Sequence, residues 1–249
     1  MLRLVLLSLF FLGACTHIEV PPEFTYTEVQ TSGFKIAAWK KITRADAPMK
    51  VYIEGDGYAF RGSGAVSSNP TPHGILLRQI AFGDSHENVI YLARPCQFVQ
   101  DDKCSPKDWS DARFSKMAVQ SEYEAVKHFT GNSSLTLVGF SGGAQIAGLM
   151  VVKHPDLAVH KLVTIAGNLD VAGWVEYHQL SPLKLSDDLH DWKDKYAAFN
   201  QVHYVGTDDT NIVPQITEQF VADKNTIKYV RGASHNQGWE KAFKAIRAE

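Results

Sequence analysis

The chain lacks an excess of charge of either sign: 25 lysines and arginines face 27 aspartates and glutamates, for a formal charge of −2. Without a basic surplus to neutralise phosphates, composition argues against nucleic acid as a partner. No low-complexity tract and no internal period of 20 to 50 residues is present, so a solenoid of repeats is excluded. No apolar run approaches the roughly 20 residues that a bilayer span needs. Cysteine is scarce, with three in 249 residues. Cys96 and Cys104 have no further cysteine or nearby histidine to complete a zinc set. What remains is 45% hydrophobic and 21% charged residues, an ordinary balance for one large core.

The first residues read differently. A basic start (Met1-Leu2-Arg3) leads into the short apolar stretch Leu4 to Leu12 and then Gly13-Ala14-Cys15. That is the layout of a secretory signal over residues 1–14. The LGAC stretch resembles the lipobox of bacterial lipoproteins. The resemblance implies lipidation of Cys15, a tether over 15–23 containing Pro21-Pro22, and a lipid anchor. Thr16 follows the cysteine where an aspartate tends to mark inner-membrane retention, so the resemblance points to the outer membrane, facing the periplasm. A plain secretory peptide with a chance cysteine is the alternative. In an oxidising compartment Cys96 and Cys104 can close a small disulfide loop; otherwise they are two free thiols.

From residue 24 onward strands and helices alternate. Strands are expected over 24–29, 34–42, 50–54, 88–93, 135–139, 161–166, 201–205 and 226–230, and helices over 74–82, 114–129, 142–152, 214–222 and 236–247. The helix over 114–129 would bury Phe114, Met117, Ala118, Ala125, Val126 and Phe129. Residues 168–199 are mixed and form a possible cap, with Trp174, Tyr177 and Trp192 either lining a pocket or packed as core. Short continuous apolar strands point to a mostly parallel sheet covered by helices on both faces. Ligands then sit outside the carboxyl ends of the strands, which places Gly55, Arg94, Ser141, Gly167, Gly206 and Gly232 at the informative edge.

Ser141 lies in Gly139-Phe140-Ser141-Gly142-Gly143, a G-x-S-x-G. By composition the pattern arises by chance in roughly one in ten chains of this length. Its context, a strand before and a helix after, is what gives it weight. A serine on so sharp a turn needs small neighbours, which accounts for the glycines, and the Gly142 N–H is then aimed where an oxyanion would form. The bland reading is a glycine-rich connection; a phosphate loop is excluded because the Lys-Ser/Thr ending is missing. A serine hydroxyl needs a base. His235, after the last strand, is the candidate among ten histidines. The base needs a carboxylate. Asp209, three residues past Gly206, is preferred over its neighbour Asp208 and over Asp170 at the preceding strand exit.

The order Ser141, Asp209, His235 and the segments GFSGG, GTDDTNIVP and GASHNQGW resemble the three catalytic segments of the α/β-hydrolase superfamily. The resemblance spans residues 24–249. It implies an eight-stranded, mostly parallel sheet with a small cap. It also implies an acyl-enzyme mechanism without metal or organic cofactor, and a second oxyanion donor from the YIEGDGYAF loop, at Asp56, Gly57 or Tyr58. The loop departs from the lipase His-Gly-Gly-Gly pattern, with Glu54 in the histidine's place. YIEGDG, NPTP, ARPCQF and NLD…W…H resemble more narrowly a set of bacterial lipoprotein hydrolases, which supports a Cys96–Cys104 loop. A carboxylic ester is the first substrate class. Amides, peptides or thioesters follow, and a non-catalytic envelope binding protein is the rival reading. Arg94 is expected to pair with an acidic side chain.

Overall fold

The structure, a computed structural model, describes residues 19–99 and 101–249. The expected signal segment and Cys15 lie outside the described residues. Eight strands form one sheet: β1 (Thr25–Gln30), β2 (Lys35–Ile42), β3 (Met49–Ile53), β4 (Asn88–Leu92), β5 (Leu135–Phe140), β6 (Val159–Ile165), β7 (Gln201–Gly206) and β8 (Ile227–Val230). Their spatial order is β1-β2-β4-β3-β5-β6-β7-β8. The pairs β1–β2 and β2–β4 are antiparallel and the rest are parallel, as the apolar strands led us to expect. Every residue of β3 and β4 is buried, the mark of a strand covered on both faces.

Side-chain alternation divides the core into two layers. Val51, Ile53, Leu135 and Leu137 pack on one side with α2 (Lys116–Thr130) and α3 (Gly142–Lys153). Tyr52, Val138, Phe140 and Val163 face the other way, against α1 (Leu76–Phe82) and α7 (Phe243–Ala248). In α3 every residue from Gly142 to Val152 is buried. A helix apolar all round belongs inside.

Between β3 and β5 the chain changes direction. It leaves β3 to build β4 on one side and returns to build β5 on the other. Such a switch point opens a crevice at the carboxyl ends of the two strands. Ser141 and the loop beginning at Glu54 stand at its two lips.

Three expectations need correction. The last helix does not start at 236: a 3-10 turn covers Glu240–Ala242 and α7 begins at Phe243. Gly238, at φ +81°, and fully buried Trp239 hold the preceding residues in a turn. Met117 is exposed, and Ser121 and Glu122 are buried in its place, turning the buried face of α2. Residues 168–199 hold α4 (Val171–Tyr177), a 3-10 turn at Leu189–Trp192 and α5 (Lys193–Ala197). Of their aromatics only Trp174 faces the crevice. Tyr177 and Trp192 are on the surface, Trp192 beneath the ammonium groups of Lys153 and Lys195. The remaining helix, α6 (Pro214–Phe220), follows the expected position and ends two residues early.

Candidate active site

Ser141 connects β5 directly to α3 and adopts φ 51°, ψ −121°. A non-glycine residue at positive φ is strained and is held only where its surroundings over-determine it. Here they do. A β-carbon on Gly139 would lie 2.5 Å from the Cα of Ala144, and one on Gly143 would lie 2.3 Å from the Ile53 carbonyl oxygen. The backbone is pinned as well: Ser141 N–H donates to Ile165 O at 3.0 Å, and its own carbonyl accepts from Asn168 N–H at 3.0 Å.

The structure brings Ser141, His235 and Asp209 into one chain of hydrogen bonds. His235 Nε2 is 3.0 Å from Ser141 Oγ, and His235 Nδ1 is 2.8 Å from Asp209 Oδ2. Asp209 is buried, and its second oxygen accepts from the N–H groups of Asn211 and Ile212 at 2.8 and 2.9 Å. An ionised carboxylate accepts only, so Nδ1 carries the proton and Nε2 presents its lone pair to the serine. The imidazole also leans on the Phe140 ring, centroids 5.3 Å apart. The competing carboxylates stand elsewhere. Asp208 is exposed and accepts from the Thr207 hydroxyl. Asp170 caps α4 through Gly173 N–H and lies 3.2 Å from His190.

The loop after β3 forms the opposite lip. Glu54 is buried, accepting from Gly55 N–H at 2.8 Å and from the Tyr91 hydroxyl at 2.6 Å. Burial pushes its carboxyl above the ordinary range against the pull of those two bonds. Tyr58 N–H donates to Pro70 O at 2.9 Å. With Gly55 and Tyr58 engaged, Asp56 and Gly57 are the loop's candidate oxyanion donors beside Gly142. Gly57 has φ +65°, and a β-carbon there would lie 2.1 Å from Pro70 O, so only glycine fits.

The side chain of Asp56 does something the sequence does not foretell. It lies 3.0 Å from Arg113 Nε and 3.3 Å from Arg94 Nη1, and both arginines are buried. Arg94 thus pairs with an acid, as expected. Arg113 was not foreseen: it sits in an unremarkable stretch, 57 residues past its partner, and no local pattern marks it. Its guanidinium also stacks against Phe60, Phe114 and Trp174.

The segments of the narrower resemblance meet around this loop. Gln97 donates to Gly55 O at 3.0 Å, and Phe98 N–H donates to the Thr71 hydroxyl at 2.9 Å. Cys96 and Cys104 are joined in a disulfide. Trp174 Nε1 and His178 Nε2 both reach Asn211 O, at 3.1 and 2.7 Å, bracing the turn that holds Asp209.

A cavity of about 490 Å³ opens over Ser141 and His235, walled by Asp56, Gly57, Arg113 and Trp174. Among the described residues no cluster of three histidine, cysteine or acidic side chains is placed to hold a metal ion. Also among them, no helix is long and apolar enough to cross a membrane.

No family model matches the sequence, and no curated protein matches it. Solved structures do. Est1E from Butyrivibrio proteoclasticus, with ferulic acid bound, aligns with a TM-score of 0.64 at 13% identity, over 89% of this chain and 96% of that one. An α/β serine hydrolase without lid from Xanthomonas campestris aligns with a TM-score of 0.53 at 14% identity, over 92% of each chain. The thioesterase domain from the curacin biosynthetic pathway aligns at 0.56 and 12% identity, over 90% and 98%. The sheet order and these alignments give the chain the α/β-hydrolase fold.

Proposed function

We propose that this protein is a serine hydrolase that cleaves carboxylic esters through an acyl-enzyme. The observation that carries the reading is the continuous path from Ser141 Oγ through both imidazole nitrogens to a buried, twice-bonded Asp209. Ser141 attacks the carbonyl carbon while His235 Nε2 takes its proton. The oxyanion is held by the N–H of Gly142 and by that of Asp56 or Gly57. His235 returns the proton to the leaving alcohol, then deprotonates the water that frees the acid. Asp209 fixes the tautomer and offsets the charge on the imidazolium. No cofactor enters these steps.

Esters come first because an alkoxide leaves more readily than an amide nitrogen. The names of similar folds include an esterase and a thioesterase domain. Thioesters are therefore the second substrate to assay, and amides the third. A fold alone does not guarantee chemistry, and the alternative is a non-catalytic envelope binding protein. The strained φ at Ser141 favours catalysis, since strain without use is a net cost.

The reading extends to place. The basic start, the short apolar stretch and Cys15 support export and a lipid anchor, with the outer membrane as destination. A disulfide suits an oxidising compartment. Extraction of the mature protein with detergent and its intact mass, beside Cys15→Ser, test the anchor.

The deciding experiment is labelling with a fluorescent fluorophosphonate. Wild type is expected to label, and Ser141→Ala and His235→Ala are expected not to. A folded wild type that stays unlabelled would return the protein to the binding class.

A further inference from the structure

Beside the cavity over Ser141 lies a second one, of about 500 Å³. Its lining is dominated by Phe60, Trp174, Leu180, Pro182 and Leu183, with Asp111, Arg113 and Lys184 as its charged members. Three residues line both cavities: Phe60, Arg113 and Trp174. They make a partition of one buried and two more exposed side chains. Arg113 is buried, donates to Ser110 O at 3.2 Å and lies against Asp56. Phe60 is 42% exposed. The far wall is the turn after α4, held by Leu180 N–H to Val175 O at 2.9 Å, and Leu180 is 48% exposed.

Large apolar side chains turned to water around a concavity are costly unless something covers them. A volume of this size lies within the range of small-molecule pockets, roughly 300–1,000 Å³. The shared wall with the serine cavity names the occupant. We infer that the second cavity receives the apolar arm of the substrate, an ester carrying a medium-length alkyl or aryl group. The scissile carbonyl stays at Ser141 and the arm crosses the Phe60–Arg113–Trp174 partition. This inference rests on the hydrolase reading for its chemistry and not for its binding site.

Binding and turnover are therefore measured separately. In the first arm, the Ser141→Ala protein is titrated with cis-parinaric acid, an apolar fluorescent carboxylate, without any catalytic step. Leu180→Asp and Ser181→Trp, one charging the pocket and one filling it, are placed in that background. Both sites are at the surface, so the fold does not depend on them. Each is expected to weaken binding at least tenfold, and Leu180→Met to leave it within twofold. Unchanged binding in both variants overturns the inference, as does no binding to the parent.

In the second arm, active protein hydrolyses p-nitrophenyl esters from acetate to decanoate below their micellar concentrations. The specificity constant is expected to rise about fourfold per buried methylene until the pocket is full. In the two variants it should flatten while acetate hydrolysis is unchanged. A slope identical in wild type and variants overturns the inference with the hydrolase reading intact. Loss of fluorophosphonate labelling with parinarate binding intact and variant-sensitive overturns the hydrolase reading and leaves the apolar site standing.

Discussion

The carboxylate of Asp56 occupies the space in which a side chain on Gly142 would begin: a β-carbon there would lie 2.0 Å from Asp56 Oδ1. Helix propensity alone makes Gly142→Ala stabilising by up to about 1 kcal/mol. The contact predicts the opposite result for catalysis. Alanine keeps the N–H of residue 142 yet displaces Asp56 and the loop that follows β3. We expect kcat for a short ester to fall roughly 10²–10³-fold, the effect of losing one oxyanion donor. Circular dichroism should report an unchanged helix content. Activity within twofold of wild type would detach the loop from the reaction.

Asp209→Asn keeps the size of the side chain and removes its charge. The amide can present N–H to His235 Nδ1, which favours the tautomer with its proton on Nε2, facing the serine. The expected loss in kcat is about 10⁴-fold with little change in KM. Asp208→Asn and Asp170→Asn should each stay within threefold of wild type in the same ester assay.

Removing Arg94 leaves Asp56 with a single buried partner. Arg94→Met should cost about 1–3 kcal/mol in urea unfolding, the usual loss for a charge-assisted hydrogen bond, since part-exposed Asp56 keeps Arg113. Adding Asp56→Asn should recover part of that loss, because the two sites share one interaction. Additive losses in the double variant would show that the pair does not couple.

Glu122 supplies a pH dependence. Arg94 Nε lies 3.6 Å from its carboxyl, yet burial outweighs that attraction and pushes the carboxyl up to about 8. The folded state therefore holds this proton at pH values where the unfolded chain has released it. Its contribution to stability is complete below about 4.5 and is lost as the pH rises through about 8. Glu122→Gln removes that loss. The unfolding free energy of the variant minus that of wild type should climb by about 3–5 kcal/mol between pH 5 and 8.5. A difference independent of pH would mean that Glu122 is ionised in the fold.

The Cys96–Cys104 bridge closes a loop whose next residue, Gln97, holds the Gly55 carbonyl. Cys96→Ser with Cys104→Ser should lower stability by about 2–3 kcal/mol through the freed chain. It should also slow fluorophosphonate labelling of Ser141, since the loop opposite the serine loses its brace. Labelling at the wild-type rate would confine the bridge to stability.

How much of this was legible in the sequence follows from the range of each interaction. Ser141, Asp209 and His235 each sit just past a strand of strong apolar pattern. A parallel sheet brings all such exits to one edge, so the sequence locates them without knowing their contacts. The start of the last helix was misread because Gly238 and Trp239 act through tertiary packing, which composition does not record. Met117 and Glu122 exchanged places for the same reason: Glu122 is buried beside Arg94, a partner 28 residues away. Arg113 and Phe60 matter only through what surrounds them. Where the scaffold's own regularity places a group, pattern suffices; where a side chain answers another from a distant segment, it does not.

The strand that leads to His235 has a consequence for how the protein ages under heat. β8 is four residues long, lies at the outer edge of the sheet and is bonded to β7 alone. Short edge strands open before the strands inside. When β8 frays, His235 leaves with it, while Ser141 stays locked at the centre between β3 and β6. On the proposed reading, fluorophosphonate labelling would then be lost ahead of melting and return on cooling, with Ser141 in place throughout and His235 displaced and restored.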